Sequence, residues 1–265
     1  MALIRLLHSL LVIAVALVST LAISLAALFI VHVLGRPPTS TRFLSQGWGK
    51  LILRTAGVKV SKEGGSKLDP GTPYIFAANH QSQFDIFVLS GYLGHTFSWL
   101  AKKELFQVPI WGRAMRAAGY IPIDRSHGRE AMKSLTEAAA KIAAGTSVAI
   151  FPEGTRSPDG RLREFKSGGM VLAIKSGVAV VPVAITGTHR VLPKGAFLAR
   201  PGEVTVRVGE AIDVSAYGPR QKQELAARVH ELVAGMMASR RVIGGEKGPG
   251  TGPDGVGEHI SVDQE

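Results

Sequence analysis

Tyr74-Ile75-Phe76-Ala77-Ala78-Asn79-His80-Gln81-Ser82-Gln83-Phe84-Asp85-Ile86-Phe87-Val88-Leu89 decides how the rest of the chain is read. The apolar run 74–78 is short, rich in large side chains and bounded by polar residues, so it reads as a buried strand. The run from Ile86 onward reads as a helix start. A His and an Asp therefore sit at a strand-to-helix turn, where α/β proteins place chemistry. On a continuous helix, residues five apart point about 140° away from each other. His80 and Asp85 meet only if His80 lies in the turn and Asp85 in the first helical turn. Two readings remain at this point. Asp85 orients His80 as a general base, or Ser82-Gln83-Phe84-Asp85 is a capping box and Asp85 bonds back to the helix start. Ser82 beside His80 invites a nucleophile reading, but capping is its simpler task.

Outward from this stretch the pattern alternates. Strands are expected at 58–62, 97–101, 120–124, 147–151, 178–185 and 203–208. Helices are expected at 83–92, 104–106, 109–118, 129–144, 168–176 and 220–241. Strands alternating with helices predict an α/β domain with a mixed, largely parallel sheet flanked by helices. The organisation that follows is an anchor over 1–36, a membrane-proximal helix over 37–57, an α/β domain over 58–241 and an acidic tail over 242–265. In the tail, the Gly/Pro-rich residues 244–265 read as disordered.

The N-terminus sets the setting. Residues 10–34 carry no Asp, Glu, Lys or Arg. As a helix they reach about 37 Å, enough for a hydrocarbon core of about 30 Å. A secretory signal usually has a shorter apolar region, and no cleavage site is evident, so a retained anchor is expected. Arg5 stands alone before the segment, while Arg36, Arg42, Lys50 and Arg54 follow it. The positive-inside rule then puts the α/β domain on the cytoplasmic face of the inner or cytoplasmic membrane. Pro37-Pro38 ends the segment, and Thr39 or Ser40 is expected to cap the next helix.

The chain has no cysteine, which excludes disulfides, a cysteine nucleophile and thiolate metal sites. The histidines form no cluster with metal-ligand spacing. Net charge is +11, but the tail from residue 242 carries one Lys against five acids, leaving +15 on the rest. Aromatic residues make up only 6%, without basic-aromatic interleaving. The basic body therefore points to a membrane face or phosphorylated small molecules rather than nucleic acid.

Phe151-Pro152-Glu153-Gly154-Thr155-Arg156-Ser157 is the second informative run, emerging directly from an expected strand. Arg156 offers a planar fork of donors suited to phosphate. Gly154 permits close ligand approach, and Glu153 either accepts from a substrate hydroxyl or pairs with Arg156. In Gly119-Tyr120-Ile121-Pro122-Ile123-Asp124-Arg125, a charged pair leaves a strand, and Arg125 is within reach of the same site. Lys102 and Lys103 add positive charge at the rim, and Lys166 opens a helix. Surface lysines are the plainer reading for these three.

Together these runs, with Val181-Pro182-Val183-Ala184, resemble the glycerolipid acyltransferase family, most closely its bacterial 1-acyl-sn-glycerol-3-phosphate acyltransferases, over about residues 58–208. Pro122 and the Lys166-Ser167-Gly168 run depart slightly from the family's usual residues. The resemblance implies the glycerolipid acyltransferase fold. It implies His80 and Asp85 as the catalytic pair and Glu153, Gly154, Thr155, Arg156, Arg125 and Lys102 as substrate-binding. It implies lysophosphatidic acid as acceptor, and acyl-CoA or acyl carrier protein as co-substrate with no other cofactor. Backbone amides near His80 are the implied oxyanion donors. Other lysolipid acceptors, such as lyso-ornithine lipid, and a catalytically silent phospholipid-binding protein are the alternatives.

Overall fold

A computed structural model describes residues 2–124 and 129–239. Arg125, the acidic tail and the end of the expected last helix lie outside the described residues.

The chain begins with α1 (Ala2–Leu28), continued by a π-turn at Phe29–Val33, and α2 (Arg42–Thr55) follows. Then come β1 (Val58–Gly64), β2 (Ile75–Ala78), α3 (Phe84–Tyr92), β3 (Ser98–Lys102), α4 (Trp111–Ala117) and β4 (Ile121–Ile123). The second half holds α5 (Arg129–Ala143), β5 (Val148–Ile150), α6 (Gly168–Ser176), β6 (Val180–Thr186), α7 (Thr188–Val191), β7 (Gly202–Val208) and α8 (Lys222–Ala238). The expected elements are present with ends shifted by a few residues; α7 had no periodic signal. Neither Thr39 nor Ser40 caps α2. Instead a 3-10 turn at Pro38–Thr41 leads in, closed by the Thr41 hydroxyl donating to the Pro38 carbonyl at 2.8 Å.

The strands form one seven-stranded sheet in the order β1-β7-β6-β2-β5-β3-β4. Among these described strands β6 and β7 pair antiparallel, and the other neighbours are parallel. β2 shows why its sequence is continuously apolar. Phe76 and Ala78 enter the core under α2 and α3, whereas Ile75 and Ala77 enter the core under α5, α6 and α8. A strand covered on both faces cannot alternate with polar residues.

α2 lies close against α3 because Gly49 has no side chain: a Cβ there would come within 2.5 Å of the Phe87 carbonyl oxygen. α1 packs along α2 in turn. His8 Nε2 donates to the Thr55 carbonyl at 3.0 Å, Trp48 Nε1 to the Thr20 hydroxyl at 3.0 Å, and the Ser9 hydroxyl to the Ala199 carbonyl at 3.4 Å. The opposite side of α1 exposes Leu3, Leu10, Leu17, Leu21 and Leu25. The continuous helix Leu3–Val33 is long and apolar enough to cross a membrane.

Candidate active site

β2 and β5 are neighbours running the same way, so the loops leaving their C-terminal ends meet. One carries His80 and the other Glu153-Gly154-Thr155-Arg156.

The His80 loop is pinned at nearly every residue. Asn79, fully buried, spans the Ile185 backbone with both ends of its amide: Nδ2 donates to the carbonyl at 2.8 Å, and Oδ1 accepts from the N–H at 2.6 Å. Gln81 Nε2 donates to the Gly160 carbonyl at 2.6 Å, and the Ser82 hydroxyl donates to the Leu192 carbonyl at 2.7 Å. The His80 carbonyl accepts the Ser157 N–H at 2.7 Å, stitching the two loops together.

His80 Nδ1 bonds Asp85 Oδ2 at 2.8 Å, and the Asp85 side chain is 0% exposed. The same Oδ2 accepts the backbone N–H groups of Gln81 at 2.6 Å and Ser82 at 2.8 Å. Asp85 thus performs both tasks read from the sequence: it ties down the helix start and holds His80. Ser82 shares the capping through its hydroxyl, which accepts the Phe84 N–H at 3.2 Å. With Nδ1 engaged, Nε2 is the ring nitrogen left for chemistry; the His80 side chain is 14% exposed. One face of the imidazole lies on Phe151, with centroids 3.9 Å apart and planes 10° apart, and Trp99 backs Phe151 at 5.7 Å.

Glu153 does not pair with Arg156. It is 2% exposed, and its Oε1 accepts the His80 N–H at 2.6 Å. Burial is the main cause that pushes its carboxyl up to about 7, helped by the charge of Asp85 and opposed by the backbone bonds from His80 and Arg163. Glu153 therefore sits beneath the turn as a brace. Of the backbone amides near His80, those of His80, Gln81, Ser82 and Phe84 are engaged by Glu153, Asp85 and the Ser82 hydroxyl, which narrows the choice of oxyanion donors. Folding spends those amides on shaping the turn.

The rest of the second loop faces outward. Gly154 has φ +74°, a conformation that side chains resist, and Lys166 lies over it, so that an added Cβ would sit 3.4 Å from Nζ. Thr155 is exposed, its hydroxyl 3.4 Å from Lys194 Nζ. Arg156 is half-buried and has no hydrogen-bond or ion-pair partner among the described residues. At the rim, Lys102 is exposed and pairs loosely with Glu104 at 3.5 Å, and Lys103 pairs with Asp124. Asn79 and Phe151, like Trp99, lacked a role on sequence reading. Asn79 and Phe151 stand inside the quoted runs, next to His80 and two residues before Glu153, and that position was the available signal. Trp99, from a separate strand, had none.

The site just described holds the ring of His80 against the buried Asp85 carboxylate, between loops from two neighbouring parallel strands. The sequence profile of the Acyltransferase family matches residues 59–186. A 1-acyl-sn-glycerol-3-phosphate acyltransferase of Pseudomonas aeruginosa is 34% identical over 202 residues, covering 74% of this chain and 77% of that protein. A chloroplastic 1-acyl-sn-glycerol-3-phosphate acyltransferase of Arabidopsis thaliana is 38% identical over 154 residues, covering 58% of this chain but 43% of the relative. This chain's match thus spans less than half of that plant protein's length. The crystal structure of the 1-acyl-sn-glycerophosphate acyltransferase of Thermotoga maritima superposes with a TM-score of 0.77 at 30% identity, covering 89% of this chain and 95% of that one. The chain belongs to the acyltransferase family.

Proposed function

We propose that this protein is a 1-acyl-sn-glycerol-3-phosphate acyltransferase that acylates the sn-2 hydroxyl of lysophosphatidate. The carrying observation is the His80–Asp85 pair, held rigidly and with Nε2 left to act. Nε2 takes the proton of the acceptor hydroxyl as its oxygen attacks the thioester carbonyl. Asp85 fixes the tautomer and stabilises the imidazolium. The tetrahedral adduct collapses, the carbon–sulfur bond breaks, and the imidazolium returns its proton to the leaving thiolate. Phosphatidate and free thiol depart; no acyl-enzyme and no further cofactor enter. The thioester is acyl-CoA or acyl carrier protein.

Arg156 binds the phosphate, with Lys166 and the rim Lys102 adding positive charge and Arg125 assisting by family resemblance. The backbone at Gly154 and Thr155 shapes the loop for close approach, and Glu153 braces His80. α1, docked along α2 with its apolar side outward, holds the site at a bilayer where acceptor and product reside, on the cytoplasmic face.

The test is transfer of labelled acyl groups from acyl-CoA by the purified full chain to a panel containing lysophosphatidate, glycerol 3-phosphate, other lysophospholipids and lyso-ornithine lipid. Lysophosphatidate should be used best. A clear preference for another acceptor reassigns the substrate, and no transfer to any of them sinks the reading.

A further inference from the structure

The turn between β3 and α4 is apolar, exposed and strained. Leu105, Val108, Ile110 and Trp111 all present exposed side chains within seven residues. Ile110 has φ 62° and ψ −63°, and is the non-glycine residue with positive φ among those described. The Trp111 N–H reaches back to the Pro109 carbonyl at 2.6 Å, closing a γ-turn around it. This form of γ-turn is rare and strained, and a β-branched side chain makes it costlier. Folding alone gains nothing from holding two large apolar residues in water this way, and such outliers persist where they serve a function.

Its surroundings identify what covers it. α4, which Trp111 begins, packs on α1, and Gly119 just beyond α4 abuts Pro38 at the α1–α2 elbow. Through α4 the turn is carried alongside α1, whose apolar side chains are also exposed. Cations flank it: Lys102, Lys103 and Arg113 are exposed, and Arg116 lies over the Phe106 ring at 5.5 Å. Near the other end of α1, Phe197 is 83% exposed, two residues from the Ala199 carbonyl that Ser9 bonds. Apolar residues at both ends of one apolar helix, with basic residues beside them, fit the plane of a bilayer surface. The turn also leaves the C-terminal end of β3, on the same sheet edge as the His80 loop.

We propose that residues 105–111 form a second membrane-inserting element, separate from α1, which enters the same phospholipid leaflet beside the mouth of the active site. The γ-turn at Ile110 aims Ile110 and Trp111 outward, and insertion brings the site to the depth of the acceptor's glycerol. This rests on the reading of α1 as a bilayer anchor, and the experiment separates the two.

Because the natural chain has no cysteine, single cysteines label one site each. Ile110→Cys, Leu17→Cys on the outer side of α1, and Lys59→Cys on β1 are each coupled to a polarity-sensitive fluorophore in the otherwise intact chain. Each is then mixed with vesicles of phosphatidylcholine and phosphatidylglycerol. Labels at 110 and 17 should shift to the blue and brighten severalfold, and be quenched by lipids spin-labelled in the acyl chain; the label at 59 should not respond. A response at 17 without one at 110 overturns the insertion proposal and leaves the anchor standing. Silence at both overturns the anchor reading as well. In a second arm, Trp111→Asp should lose about tenfold in turnover of long-chain lysophosphatidate in vesicles while keeping its turnover of a short-chain, water-soluble analogue. Equal loss on both acceptors would mean the turn acts on the fold rather than on the membrane.

Discussion

The two loops that build the site leave adjacent parallel strands, yet they are held in opposite ways. The His80 loop is bound on every side. Asn79, Gln81, Ser82 and Asp85 direct their polar groups into the protein, and Ser157 and Glu153 reach across to the His80 backbone. The Glu153 loop is tied down through Glu153, the Lys166 N–H on the Pro152 carbonyl and the Ser157 N–H on the His80 carbonyl, while Thr155 and Arg156 between them stay accessible. A proton-transfer group needs a fixed position, because small displacements cost rate. A phosphate-binding group needs a donor still free to bond. The same strand-end position is thus rigid in one loop and open in the other, as the proposed base and the proposed phosphate ligand each require.

His80→Ala breaks the comparison most severely. It should cut turnover by about 10²–10⁴-fold, the usual worth of a general base, with an unchanged melting temperature; near wild-type turnover would remove His80 from the mechanism. Arg156→Ala should act on the other loop alone. KM for lysophosphatidate should rise by about 10–100-fold, the worth of a charge-assisted bond, with turnover at saturation little changed. An unaltered KM would mean that Arg156 is not the phosphate ligand.

Asn79→Ala tests whether the first loop is rigid by construction. It strands the buried N–H and carbonyl of Ile185, so chemical denaturation should show a loss of about 1–3 kcal/mol. Turnover should fall with it while KM holds. The smallest effect belongs to Glu153→Gln. Glu153 is pushed up from 4.5 to about 7 in the folded protein, so the folded state binds a proton that the unfolded state has released. The contribution is complete below about pH 4.5 and is lost as pH rises through about 7. The wild-type melting temperature should therefore decline over that interval more steeply than that of the Gln variant, which has no such group to ionise. Parallel curves would show that Glu153 titrates normally.

Much was legible in local sequence. The strand at 74–78, the helix after it and the His-x4-Asp spacing follow from periodicity and turn chemistry, which act over a few residues. For Asp85, tying down the helix start and holding His80 were not exclusive alternatives. A carboxylate oxygen accepts several bonds, and Oδ2 serves His80 and two amides together. Glu153 was read as facing substrate or Arg156. Its inward turn depends on the His80 N–H, 73 residues away in the chain, which no local pattern encodes. The same holds for the clasp of Asn79 on Ile185 and for the stacking of Phe151 and Trp99 behind His80.

By itself, the sequence determined the α/β class, the apolar N-terminal helix, the absence of cysteine and the spacing of His80 and Asp85 at a strand-to-helix turn. These depend on composition and short-range periodicity. Tertiary structure alone decided which strands are neighbours, that β7 joins β1 to the antiparallel edge of β6, that α1 docks along α2, and which polar groups are consumed in shaping the site. Those outcomes rest on pairings between residues far apart in the chain, where burial obliges each polar group to find a partner that only the folded arrangement supplies.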